Sequence, residues 1–168
     1  KYRISEAVEQ NVRRKAKEMG YQPNSLAQGL RTGKTRTIGL ILGDVSNPFF
    51  SKIASCVEKE AARYNYQVMF ASSDESSEKF ERAAQMFLSK QVDGLIVAPT
   101  ENSEKIIMDI VKNRKPVVLI DRIVKEVPVD YVQIDNKDAT YRLANLIIDQ
   151  GFKKIAYMTV THTLSNFQ

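Results

Sequence analysis

The chain has 168 residues, 43% hydrophobic and 27% charged, an ordinary composition for one globular domain, or one with an appendage. There is no apolar run long enough to span a membrane, no signal-peptide pattern at the start, and only one cysteine, Cys56, which excludes an internal disulfide and fits a reducing compartment. The net charge of +5 is concentrated at one end: residues 1–36 carry nine Lys/Arg against three acids, and the remainder is close to neutral, so a basic arm on a near-neutral body points to a polyanion partner such as nucleic acid.

In chain order, Ser5 is placed to cap a helix that runs to about Met19, with Glu6 and Glu9 at its positive end. Val8, Val12, Ala16 and Met19 form one apolar stripe, and Gly20 ends the helix. The stripe has nothing upstream to pack on, so the chain reads as starting inside a helical unit. Next comes YQPNSLAQGLRTG, residues 21–33. Pro23 holds Gln22 extended, Asn24 caps, Ser25 to Gln28 propagate, Gly29 weakens the middle and Gly33 stops the turn. An isolated helix of about two turns is marginal in water, so this one needs a partner surface.

From Thr37 the pattern changes to strands alternating with helices. TIGLILG (37–43) reads as a buried strand, followed by a helix from Pro48 to Asn65. A strand at 67–72 precedes a helix from Glu75 to Lys90, and a strand at 92–99 precedes a helix from Ser103 to Asn113. Strands at 116–121 and 131–135, a helix from Lys137 to Gln150 closed by Gly151, and a sixth strand at 154–160 complete the series. This alternation predicts an α/β fold, a parallel sheet with helices on both faces. Cys56 falls on the first of these helices as a packing residue, with no Cys/His spacing that would bind a metal.

Open parallel sheets bind ligands beyond the carboxyl ends of their strands. Polar and aromatic residues collect there: Asp44, Ser46, Asn47, Phe49 and Phe50 after the first strand, Ser72, Ser73 and Asp74 after the second, and Thr100 after the third. Asp121 and Arg122 follow the fourth, Asp135 and Asn136 the fifth, and the tail THTLSNFQ, with Ser165, the sixth. Each has an ordinary role as turn former or helix cap, but their recurrence at one edge suits a polyhydroxylated or planar small molecule. Signs of an enzyme are weak. There is no GxGxxG or Walker A loop, no GxSxG elbow frames Ser165 or the single histidine His162, and no cofactor or metal is expected. Asp135 and Asp138 read as a strand end and a helix N-terminus rather than paired catalytic carboxylates.

The run RISEAVEQNVRRKAKEMGYQPNSLAQGLRTGKTRTIGLILGDVSNPFF resembles the junction region of the lactose-repressor (LacI/GalR) family of bacterial transcription regulators, and VDGLIVAPT, PVVLIDR, VQIDN and GFKKIAYMT carry the resemblance downstream. It implies a non-enzymatic, cytoplasmic, homodimeric regulator that binds double-stranded operator DNA and a small-molecule effector, a sugar or sugar phosphate. Residues 1–23 are then a remnant of a helix-turn-helix headpiece holding its third helix, and residues 24–36 the hinge helix and linker. Residues 37–168 are the periplasmic-binding-protein-like N-terminal lobe of the effector-binding core. On this resemblance the start of the headpiece and the second lobe are missing. The resemblance places Leu30 as a minor-groove wedge, Asn24 and Ala27 on the face approaching DNA, and Tyr21 and Arg31 near the backbone. The strand-edge reading supplies Asp44, Asn47, Phe49, Phe50, Ser73, Asp74, Asp121, Arg122, Asn136 and Ser165 as the residues expected around the effector. Two departures are small: Phe152 stands where His is usual after Gly151, and Ala139 where Gly is frequent. The alternatives are a periplasmic-type sugar-binding protein, which predicts an export signal and no basic arm, and a doubly wound enzyme, which predicts a phosphate loop or a catalytic group at the strand edge.

Overall fold

The computed structural model describes residues 4–21, 29 and 31–158. The chain divides into two compact units, Lys1–Thr35 and Arg36–Gln168.

In the first unit, helix α1 spans Glu6–Glu18. Ser5 occupies its N-cap position, but the hydroxyl makes no cap hydrogen bond, so the expected side-chain cap does not form. The other end closes tightly: Gly20 takes φ +65°, its N–H reaches Lys17 O at 3.1 Å, and Tyr21 N–H reaches Ala16 O at 2.9 Å. Val8, Val12 and Met19 of the stripe stand exposed. After the break, Gly33 has φ +69° and donates its N–H to Gly29 O at 2.8 Å.

The second unit is a five-stranded sheet in the order β2-β1-β3-β4-β5, every pairing parallel. The strands are β1 Thr37–Leu42, β2 Gln67–Ser72, β3 Gly94–Val97, β4 Val117–Ile120 and β5 Asp130–Val132. The helices between them are α2 Pro48–Arg63, α3 Ser77–Ser89 and α4 Glu104–Lys112, and α5, Asn136–Asp149, follows β5.

Alternation along β1 sorts the core into two layers. Ile41 faces α3 and α4 in a cluster with Phe80, Phe87, Leu95, Val97, Ile107 and Leu119. Leu40 and Leu42 face α2, packing with Phe50, Ala98 and Ile120. Helices therefore cover both faces, as the near-continuous apolar strands require. Gly39 sits under α3, where a Cβ would lie 2.5 Å from the Phe87 ring; only hydrogen fits there.

The far edge differs. All three residues of β5 are exposed, and α5 buries none of its residues. Tyr141, Leu143, Leu146 and Ile148 lie open along it. The sixth strand expected at 154–160 does not form among the described residues: 152–158 have no regular structure, and Met158 is 95% exposed. The run has strand-like composition, but a strand exists only through neighbours that pair with it. None of the described residues pairs with it.

Candidate functional site at the strand carboxyl edge

The order β2-β1-β3 puts the switch point between β1 and β3, each of which sends its connection to a different face. The loops leaving the carboxyl ends of β1, β2, β3 and β4 converge on this edge.

After β1, Asp44 folds its own loop: Oδ1 accepts from Ser46 N–H at 2.8 Å and from Ser46 Oγ at 2.7 Å. Asn47 caps α2, its Oδ1 accepting from Phe49 N–H at 2.9 Å. Phe49 remains 38% exposed and meets Phe50 edge to face at 5.1 Å. Phe50 itself is only 4% exposed and serves the core with Leu40 and Ile120, so its ring is not offered to the edge.

After β2, Ser73 is fully buried and donates its hydroxyl to Leu42 O at 3.1 Å, which ties β2 to β1. Asp74 accepts from Ser72 Oγ at 2.6 Å and pairs with the Lys79 ammonium. The hydrogen bond from Lys79, followed by that from Ser72, holds the Asp74 carboxyl below the ordinary carboxylate value.

Glu75, which sequence reasoning assigned to the start of α3, precedes that helix; Ser76 is the cap, accepting from Lys79 N–H at 3.3 Å. Glu75 reaches instead to Arg122 beyond β4, with contacts of 2.5 and 3.0 Å from the two terminal guanidinium nitrogens. Arg122 is only 7% exposed, and one of those nitrogens also donates to Pro99 O at 3.2 Å. The remaining nitrogen, Nε, lies 3.4 Å from Asp121 Oδ2 without hydrogen-bond geometry. Burial raises the Asp121 carboxyl above its ordinary value; Arg122 works against the shift, and the Glu75 charge adds to it.

Two features give this pair its room. A Cβ on Gly43 would stand 2.3 Å from Glu75 Oε1 and 3.0 Å from the Phe50 ring. Asp74, Glu75 and Asp121 all take positive φ, at 47°, 58° and 68°, a conformation costly for residues with a Cβ. Beside them Thr100 is 2% exposed, and its buried Oγ1 has no hydrogen-bond partner among the described residues. Asn136 opens α5 and is exposed.

Of the residues expected to approach DNA, Tyr21 and Arg31 are exposed, while Asn24, Ala27 and Leu30 lie outside the described residues, as do Ser165 and His162. On α1 several cations are already matched: Arg13 pairs with Glu9 at 2.8 Å, and Arg14 and Lys15 pair with Glu18 at 2.9 and 3.0 Å. Arg36 belongs to the sheet unit, where it lies over the Tyr66 ring at 5.4 Å and donates to Tyr64 O at 3.3 Å. Among the described residues no acidic, Cys or His cluster could hold a metal, and no helix is long and apolar enough to cross a membrane.

The family model described as periplasmic binding proteins and the sugar-binding domain of the LacI family matches residues 35–166. The chain belongs to this LacI family. It is 31% identical over 156 residues to a probable HTH-type transcriptional regulator, EndR, of Paenibacillus polymyxa, covering 93% of the chain and 46% of that relative. Among solved structures it is similar to the Cra transcriptional dual regulator of Pseudomonas putida in complex with fructose 1-phosphate, with a TM-score of 0.63 and 31% identity, over 69% of this chain and 43% of that one. It is also similar to a LacI-family transcriptional regulator of Lactobacillus casei with bound sucrose, with a TM-score of 0.63 and 27% identity, over 72% of this chain and 44% of that one. The chain thus spans about half the length of the curated relatives it matches. These relatives are regulators of transcription, not enzymes.

Proposed function

We propose that the protein is an effector-controlled, DNA-binding transcriptional regulator, cytoplasmic and dimeric, acting as a repressor. In this reading the strand carboxyl edge of the second unit receives a small molecule, a sugar or a sugar phosphate. The observation that carries the reading is a juxtaposition. A matched sugar-binding core begins at residue 35, directly behind a segment whose eight Lys/Arg outnumber its three acids by five. A sugar-binding protein without a nucleic-acid partner has no use for that arm. The three acids of α1 leave that helix with a surplus of one cation, so the rest of the excess charge sits at Lys1, Arg3, Arg31 and Lys34.

Residues 24–31 act as the hinge in this reading, with Asn24, Ala27 and Leu30 toward the minor groove and Tyr21 and Arg31 toward the phosphates. A helix of two turns interrupted by Gly29 is marginal alone and becomes stable when docked, and Leu30 then unstacks a base step, costing a few kcal/mol and gaining a bent duplex with more contact. Coupling folding to binding lets a small change in the core release the DNA.

The test is duplex binding by the full-length protein across a salt series. Affinity falling steeply between low and physiological salt, the signature of several phosphate contacts, is expected. Binding that is absent at every salt concentration, with sugar binding intact, favours the periplasmic-type reading. Leu30→Ala should weaken specific duplex binding about fivefold or more, since removing a groove wedge forfeits on the order of 1–3 kcal/mol, and leave effector binding unchanged.

A further inference from the structure

We infer that the effector received at this edge is an uncharged, hydroxyl-rich molecule rather than a phosphate ester, because Arg122, the one cation buried there among the described residues, is already committed to a carboxylate of the same chain. The inference rests on the proposed function and narrows it. A phosphate is met most strongly by a guanidinium or ammonium whose charge is not already matched. Arg122 does not qualify. Both terminal nitrogens are held by Glu75 at 2.5 and 3.0 Å, one is shared with Pro99 O at 3.2 Å, and Nε lies against Asp121 at 3.4 Å. The Lys79 ammonium is likewise engaged by Asp74.

The surroundings point the same way. The loops leaving the five strands, residues 43–47, 73–76, 98–103, 121–129 and 133–135, carry seven carboxylates against two cations, Arg122 and Lys125. A dianion entering this field is repelled. A polyol meets acceptors for its hydroxyl protons, with the exposed face of Phe49 beside them. Gly43 keeps the arrangement in place, since a side chain there would strike Glu75 Oε1 at 2.3 Å.

The experiment is calorimetric titration of the full-length protein with glucose, fructose, ribose and sucrose, and with glucose 6-phosphate, fructose 1-phosphate and ribose 5-phosphate. At least one neutral sugar should bind, with its phosphate ester about 30-fold weaker or worse, as like charges within a few ångströms demand. A phosphate ester that binds as tightly as its parent sugar, or more tightly, overturns the inference while leaving the sugar-responsive reading standing. Binding by none of the seven counts against the sugar-responsive reading itself. Glu75→Gln removes the internal counterion and should raise affinity for the phosphate esters about tenfold or more, and unchanged affinity in a folded variant overturns the role given to Glu75. Should E75Q fail to fold, Gly43→Ala displaces the same carboxylate by crowding and serves the same purpose.

Discussion

Thr100 buries a hydroxyl at the switch point with no hydrogen-bond partner among the described residues. A buried hydroxyl without a hydrogen bond costs about 1–3 kcal/mol. Thr100→Val keeps the shape and removes the orphan, so the protein should gain on the order of 1 kcal/mol in a denaturant melt. A loss of that size would mean the hydroxyl has a bonding role in solution. Asp121 gives a second prediction at this scale, with a definite sign. Burial raises its carboxyl above the ordinary value, so the folded state holds the proton more tightly than the unfolded chain does. The cost of ionising it is fully present above the raised value and absent below the ordinary carboxylate range near 3.8. Asp121→Asn should therefore stabilise the protein at neutral pH, with the advantage vanishing as pH falls through that window. Asp74 runs oppositely: its carboxyl is held low, so its contribution is present at neutral pH and lost toward strong acid. Melting temperatures of the two Asn variants across pH 3–7 (an experimental range set by carboxylate titration) should diverge in opposite directions.

At the scale of elements, the helix and strand series was legible because periodicity records burial. The run TIGLIL alternates between two buried faces, and β1 lies in the sheet's interior, parallel to both neighbours. Helix ends were legible where glycine marked them, at Gly20 and Gly151. They were blurred where other residues took the same left-handed turn: Asn65, Gln91 and Arg114 all close helices with positive φ. The sixth strand failed because composition carries no information about whether a partner strand is present. Glu75 was missed for a related reason: its partner Arg122 lies 47 residues away, and nothing local links them. A hint existed in Gly43, whose missing side chain makes the room. Close packing gives the prediction at this scale. Gly39→Ala pushes a Cβ to 2.5 Å from Phe87, and overpacking of this kind costs about 1–3 kcal/mol. Phe87→Leu shortens the obstacle, so the double variant should lose less stability than the two single losses added together. Strict additivity would mean that the helix moves away as a body.

For the molecule as a whole, the basic arm and the sheet unit were legible separately, from charge and from periodicity. Their joint purpose was legible only through the family resemblance, since nothing in the residues alone says that one unit governs the other. The candidate site was half legible. Asp121, Arg122 and Asp74 meet partners at the strand edge, whereas Phe50 and Ser73 are spent on the core and on strand pairing. The central claim is that the segment joining the arm to the sheet has a marginal helix that DNA stabilises. Hydrogen exchange over residues 24–31 of the full-length protein, free and bound to a duplex selected from a random pool, tests this most directly. The account predicts fast exchange in the free protein and strong protection on the duplex. Equal protection in both states would contradict it.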